Sequence, residues 1–76
     1  MAKLPQISGK ELGRVLSRLG FRFQSQKGSH MKFVRRLHPG GREIIVVPDH
    51  PILRKGTLHD ILKHLNLSIE KLKLML

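Results

Sequence analysis

The hydrophobic period of this chain changes twice, and the changes divide it into helix, sheet and helix. From Leu12 to Leu19 apolar residues recur at i, i+3, i+4 and i+7, the spacing of one helix face. From Phe21 onward they alternate, which is typical of a strand with one covered face. The helical spacing returns between Leu58 and Leu65. The sequence therefore predicts a sheet flanked by two amphipathic helices.

Local signals place the ends of the predicted helices. Ser8 begins a capping box with the glutamate three residues later, and Gly20 supplies a left-handed stop for the first helix. Thr57 is the predicted N-cap of the second helix, and Asn66 is its predicted left-handed end. Ser68 then caps a short C-terminal helix.

Turn residues divide the alternating region into three strands. The first strand is predicted over residues 21–26, with both of its phenylalanines on the covered face. Lys27-Gly28 turns the chain into a second strand over residues 29–37. The His38-Pro39-Gly40-Gly41 segment leads into the third. Because residues 44–47 are all apolar, alternation leaves open which pair faces the helices.

The predicted order is α-β-β-β-α with a short helix after it, which makes a two-layer α+β domain with a three-stranded antiparallel sheet. A chain of 76 residues has room for one such domain, covering residues 1–76. The helices cover one sheet face and leave the other open. Met31 and Phe33 are predicted on the covered face, because side chains alternate along a strand. The open face is then predicted to carry His30, Lys32 and Arg36.

Positive charge dominates the composition. The chain has 15 Lys and Arg against 5 Asp and Glu, a net charge of +10, and residues 12–42 contain no acid. A surface charged only for solubility would mix both signs. The field favours a polyanion, nucleic acid before all others, although an acidic protein partner would also be attracted.

Several classes of protein are disfavoured. The absence of cysteine excludes disulfides and thiolate metal sites and suits a reducing cytoplasm. No apolar run approaches the ~20 residues of a membrane span, and residues 1–5 lack the apolar core of a signal peptide. His59 and His64 lie about 140° apart round a helix. We therefore expect a cytoplasmic protein with no membrane contact, no metal site and no cofactor.

Five short motifs occur in a distinctive order: Ser-Gly-Lys-Glu-Leu (8–12), Leu-Gly-Phe (19–21), Gly-Ser-His (28–30), Val-Pro-x-His-Pro (47–51) and Lys-Gly-Thr-Leu (55–58). Each motif is weak alone, but their order and spacing over nearly the whole chain are specific. The sequence resembles the small HicA toxins, also called YcfA-like proteins, of bacterial and archaeal toxin-antitoxin pairs.

The resemblance implies a fold like that of the double-stranded-RNA-binding domain and messenger-RNA interferase activity in a stress response. It also implies that His30 is the catalytic residue. The implied partners are mRNA and a HicB antitoxin encoded by the neighbouring gene. No small-molecule cofactor is implied.

The residues themselves are compatible with metal-independent RNA cleavage. RNA carries its own nucleophile, so a site needs in-line geometry, proton transfer and charge stabilisation at the phosphate. A histidine titrates near neutral pH and can perform either proton step, which is the role predicted for His30. A second proton-transfer group is not evident. The residues predicted to bind RNA around His30 are Lys27, Ser29, Lys32 and Arg36.

Two other segments have both a functional and a structural interpretation. Arg54 and Lys55 precede the second helix, where free N–H groups and the helix dipole favour a phosphate. Ordinary capping and a close backbone approach at Gly56 explain the same residues equally well. His50 belongs to the Val-Pro-x-His-Pro motif, where fixing the loop is favoured over catalysis.

Two alternative functions share the charge of this chain. A non-catalytic module with the same fold would hold RNA through phosphate and 2′-hydroxyl contacts. An adaptor for an acidic protein would use the charge but give His30 no role. The chain has only 4% aromatic residues, which argues against recognition of single strands by base stacking, both for the ribonuclease and for the non-catalytic module.

Overall fold

The computed structural model describes residues 3–76, which form an α+β domain as predicted. The elements in chain order are α1 (Gly9–Arg18), β1 (Arg22–Lys27), β2 (His30–Arg36), β3 (Arg42–Pro48), α2 (Lys55–Leu65) and α3 (Ile69–Met75). The strands form one antiparallel sheet in the order β1-β2-β3. Over the described residues, no helix has the length and apolar character needed to cross a membrane. The expectation about the chain's start concerns Met1 and Ala2 as well, and these two lie outside the described residues.

The predicted capping box begins α1. The Ser8 hydroxyl accepts a hydrogen bond from the Glu11 N–H at 3.0 Å, and the Glu11 carboxylate accepts one from the Ser8 N–H at 2.9 Å. The bond from the Ser8 backbone N–H lowers the pKa of the Glu11 carboxyl, because it stabilises the charged form. Gly20, with a φ of 97°, turns the chain out of the helix as expected.

A two-residue turn, Gly28-Ser29, joins β1 to β2. Gly28 has a φ of 58°, whereas Ser29 does not have a positive φ. A positive φ at the first central position alone is typical of a type II′ hairpin turn. The register pairs Lys27 with His30 and Phe23 with Phe33, and it shifts between Phe23 and Ser25. The turn therefore determines which residue of β1 lies beside His30.

The core lies between the helices and one face of the sheet. Four sheet residues are buried there: Met31, Phe33, Ile45 and Val47. Ile44 and Val46 are 42% and 48% exposed on the other face. The structure thus answers the question that alternation left open for β3, because Ile45 and Val47 are the pair that faces the helices.

Two glycines let α1 pack closely against the sheet. A Cβ on Gly9 would overlap the carbonyl oxygen of Pro48, and one on Gly13 would lie 2.7 Å from the Phe33 ring. The Gly9 N–H also donates to the carbonyl oxygen of His50 at 2.9 Å. The beginning of α1 is therefore fixed against the end of β3, which lies beside the first residue of β2.

The two phenylalanines predicted on the covered face of the first strand differ in how far they are buried. Phe21 is buried, but Phe23 is 53% exposed. Phe23 lies opposite Phe33 and so shares the inner face, where the two rings meet edge to face with centroids 5.7 Å apart. β1 is an edge strand, so one side of the ring remains open to solvent.

The predicted N-cap of α2 is wrong. The helix begins at Lys55, two residues before Thr57, and Arg54 is the N-cap with φ −63° and ψ 142°. The first helical bond runs from the Leu58 N–H to the Arg54 carbonyl oxygen at 3.0 Å. Arg54 makes no side-chain capping bond, since a guanidinium has no acceptor to offer the free N–H groups.

The last two helix boundaries match the prediction. Asn66 has a φ of 54° and ends α2 in the left-handed conformation. The Ser68 hydroxyl accepts a hydrogen bond from the Lys71 N–H at 3.0 Å and caps α3. Leu72 of α3 is completely buried, so the short C-terminal helix completes the core.

Candidate functional site

The candidate site lies on the sheet face that the helices leave uncovered. Directly opposed residues of antiparallel strands point to the same face, so the register defines this surface. We call it the open face, and it consists of Arg22, Ser25, Lys27, His30, Lys32, Val34, Arg36, Arg42, Ile44, Val46 and Pro48. It has five Lys or Arg side chains and no carboxylate. Such a surface attracts anions along its whole length.

His30 lies at one end of the open face, where β2 begins. Its neighbours in the register are Lys27 on β1 and Pro48 on β3. Lys32 is two residues further along the same strand and face, about 7 Å away at the usual rise per residue. The His30 side chain is exposed, so the imidazole is accessible from solvent, and lysines occupy the neighbouring open-face positions on β1 and β2.

Hydrogen bonds fix the turn that precedes His30. The Gln26 amide donates to the Gly28 carbonyl oxygen and to the Asp49 carboxylate, both at 3.0 Å. The Asp49 N–H donates to the Ser29 carbonyl oxygen at 2.6 Å. The turn is thereby tied to the chain that leaves β3, and His30 is held between the two.

Sequence reasoning missed Gln26 and Asp49. Gln26 ends the predicted first strand with no distinguishing feature, and Asp49 occupies the variable position of the Val-Pro-x-His-Pro motif. Their contact at 3.0 Å spans 23 residues of chain. The only available signal was the closeness of Asp49 to that motif.

The Val-Pro-x-His-Pro segment connects the sheet to the helices through its backbone. The His50 carbonyl oxygen accepts from Gly9, and the Leu53 N–H donates to the Ile7 carbonyl oxygen at 2.8 Å. The His50 side chain itself is exposed. These bonds fix the loop through its backbone and do not involve the His50 imidazole.

The predicted RNA-binding residues lie in three separate places. Arg36 lies on the open face but six residues from His30, about 20 Å along the strand. Arg54 and Lys55 are exposed at the first turn of α2, outside the open face. The residues that the hairpin brings together are Lys27, Ser29, His30 and Lys32.

Arg35, the neighbour of Arg36, has a structural role on the inner face. Its guanidinium donates to the Glu43 carboxylate and, at 2.9 Å, to the Leu19 carbonyl oxygen. It also lies 4.4 Å from the centroid of the Phe21 ring. The other Glu43 oxygen is 3.0 Å from His64 Nε2. These contacts join the end of α1 to the sheet.

Metal-ligating side chains do not cluster on this surface. Across residues 3–76, no three His, Asp or Glu side chains come close enough together to hold a metal ion. The groups that the open face offers to a substrate are imidazole, ammonium, guanidinium and hydroxyl.

Comparison with known families decides the assignment. A family model described as the HicA toxin of bacterial toxin-antitoxin matches residues 9–67, which is more than half of the chain. This chain belongs to the HicA toxin family. The matched residues include all three strands and therefore the whole open face. A search of the curated proteins gave no match. Membership in the HicA family supports the role of toxin in a toxin-antitoxin pair.

Proposed function

We propose that this HicA family member is a metal-independent endoribonuclease that cleaves messenger RNA. The observation that carries the proposal is the position of His30, accessible at one end of a carboxylate-free basic face with Lys27 and Lys32 beside it. A general acid or base next to fixed cations is what phosphodiester cleavage requires. The resemblance to the HicA toxins, which are taken to be mRNA interferases, supports the same function.

The proposed reaction is an internal transfer at the phosphate. The 2′-hydroxyl oxygen bonds to the adjacent phosphorus and loses its proton, while the bond from phosphorus to the 5′-oxygen breaks and that oxygen gains a proton. The products are a 2′,3′-cyclic phosphate end and a free 5′-hydroxyl. His30 carries out one of the two proton transfers, and the ammonium groups of Lys27 and Lys32 stabilise the negative charge that develops on the phosphate oxygens.

Solvent completes the other proton transfer. The open face offers no carboxylate, and His30 is its single histidine. A site with one such group lacks the matched acid and base of a faster ribonuclease. We therefore expect slow turnover.

Phosphate contacts away from His30 hold the RNA. Ser29, in the turn between β1 and β2, positions the RNA strand. Arg36 contacts a phosphate further from the bond that is cleaved. Arg54 and Lys55 form a further basic site at the beginning of α2, where the free N–H groups of the helix favour an anion.

An Arg54→Ala, Lys55→Ala double variant should bind RNA several-fold more weakly at an unchanged melting temperature. Unchanged affinity would mean that Arg54 and Lys55 take no part in RNA binding.

The proposed protein partner is a HicB-like antitoxin, and the proposed compartment is the cytoplasm, where mRNA is found. An antitoxin that covers the open face would block access to His30. Ile44 and Val46, half exposed among the basic residues, offer it apolar contacts that a nucleic acid backbone does not use. Antitoxin binding should therefore compete with RNA binding.

The proposal is tested with RNA and its 2′-deoxy analogue, incubated with the purified protein in a chelator. Cleavage of RNA alone, giving a 2′,3′-cyclic phosphate end, is the expected result, and a strict magnesium requirement would contradict it. Binding of both polymers without cleavage would favour the non-catalytic RNA-binding module, for which the lack of a second proton-transfer group is the supporting observation. Neither binding nor cleavage would favour an adaptor for an acidic protein.

A further inference from the structure

The end of the open face opposite His30 carries an unusual pairing of like charges. Arg36, the last residue of β2, lies directly opposite Arg42, the first residue of β3. Such cross-strand partners have Cβ atoms about 5 Å apart, and like charges at this distance destabilise a sheet. The pair therefore costs stability in the free protein.

A third arginine faces the same place. Arg22 lies opposite Val34 on the neighbouring strand, which puts it diagonally across from Arg36, where Cβ atoms are about 7–8 Å apart. A cavity of about 620 Å³ lies at this end of the sheet, and its lining includes all three arginines. We call Arg22, Arg36 and Arg42 the arginine groove.

The arginine groove has no acidic partner within residues 3–76. The nearest carboxylate in the sheet is Glu43, which is already engaged by Arg35 and His64. None of the three groove arginines takes part in an ion pair in the described part of the chain. Their combined charge is available to a ligand.

We propose that the arginine groove binds a second phosphate of the RNA strand that is cleaved at His30. Guanidinium groups match phosphate oxygens with paired N–H donors, which makes arginine better suited than lysine to this contact. This inference rests on the proposed function, and it adds a minimum length to the substrate.

The spacing of the two sites sets that length. His30 and Arg36 are six residues apart on β2, or about 20 Å. A stacked strand rises about 3.4 Å per nucleotide, as in B-DNA. The RNA must therefore continue for about six nucleotides beyond the cleaved bond to reach the arginine groove.

The open face favours a nucleic acid over an acidic protein as the occupant. Lys32 lies between His30 and Arg36 on the same strand and face, so cations continue from one site to the other. A polymer with one charge per nucleotide meets them in succession. An acidic peptide would meet the same charges but would have no reaction at His30.

The experiment measures RNA binding in the absence of cleavage. A His30→Gln protein is titrated into fluorescent RNAs of 4 and 12 nucleotides, and anisotropy gives the dissociation constants. An Arg36→Gln, Arg42→Gln change is then added in the same background. The matched control is Lys71→Gln, Lys73→Gln, which removes the same charge from exposed positions of α3.

The arginine double variant should lose about tenfold of the preference for the longer RNA, the size expected for a lost charge-assisted contact. The slope of log affinity against log salt for the 12-mer should fall by about 0.7, the value for one phosphate contact of a single strand. The lysine control should lower both affinities to a similar, smaller extent. A single Arg22→Gln variant should show the same length-dependent loss, which guards against misfolding of the double variant.

Three results would overturn the inference. The first is an unchanged preference for the longer RNA in the arginine variants, and the second is an equal loss in the lysine control. The third is a poly-glutamate peptide that competes at the groove as well as RNA of equal charge, because it would assign the groove to a carboxylate-bearing partner. Failure of the wild-type protein to cleave RNA would instead count against the proposed function, since this binding test does not depend on cleavage.

Discussion

The two ends of the open face are built in opposite ways. At the His30 end, hydrogen bonds from Gln26 and Asp49 tie the turn to the chain after β3. At the other end, Arg36 and Arg42 lie opposite one another without an acidic partner in the described residues. The comparison suggests that precise placement serves chemistry at one end and that unbalanced charge serves binding at the other.

The largest expected effect comes from removing the imidazole at the His30 end of the open face. His30→Gln should reduce kcat/KM for RNA by about 100- to 10,000-fold, the usual contribution of a general acid or base. Initial rates with a labelled RNA measure it, and the melting temperature should stay unchanged because the side chain is exposed. His59→Gln is the matched control, since His59 is exposed on α2. Wild-type cleavage rates in His30→Gln would contradict the catalytic role of His30.

The second effect concerns the packing of α1 against the end of β3, beside His30. Gly9→Ala should destabilise the protein by about 1–3 kcal/mol, the usual cost of overpacking, because the new Cβ overlaps the Pro48 carbonyl oxygen. Thermal or urea unfolding measures the change. Gly56→Ala is the control, because its added Cβ meets no other part of the described chain within 4 Å beyond the adjoining backbone of α2. Equal stability of the two variants would show that the close approach to Pro48 is unimportant.

The third effect separates placement from charge. Asp49→Ala removes the carboxylate that accepts from Gln26 and should cost about 0.5–1.5 kcal/mol, the net value of a typical hydrogen bond. Removing this acid makes the protein more positive, so RNA affinity should hold or rise while kcat falls. Steady-state kinetics distinguish the two parameters. A fall in affinity at constant kcat would contradict the positioning role.

The smallest effect is expected at the arginine groove. Arg42→Gln should raise the free energy of unfolding by about 0.2–1 kcal/mol, because it removes a like-charge pair across strands. The gain should shrink at high salt, where screening weakens the repulsion. Arg54→Gln is the control, because Arg54 lies outside the sheet at the N-cap of α2 and has no cross-strand neighbour. A loss of stability in Arg42→Gln would mean that the two guanidinium groups do not repel each other.

Local signals predicted much of this fold, because the interactions involved are local. Ser8 and Ser68 bond to N–H groups three residues away, and Asn66 needs only its own backbone conformation. Thr57 satisfied the same rules and failed. The chain after buried Leu53 enters the helix at Lys55, before Thr57 can act as a cap, so tertiary packing overrode a local preference.

Long-range register accounts for what the sequence did not reveal. Alternation along one strand predicted that His30 and Lys32 share a face, and this requires only a period of two. The exposure of Phe23 depends on β1 being an edge strand. The Arg36–Arg42 pair depends on how the loop between β2 and β3 closes. The hydrophobic pattern of the sequence does not predict that register.

β3 has a consequence for how the free chain behaves at high concentration. Within residues 3–76 it pairs only with β2, so its outer edge presents backbone groups that a strand from another copy can use. Residues 44–47, Ile-Ile-Val-Val, are the kind of apolar, uncharged run that forms intermolecular sheets. Arg42 and Pro48, at the two ends of the strand, act as gatekeepers against such aggregation, one by charge and the other by its missing N–H.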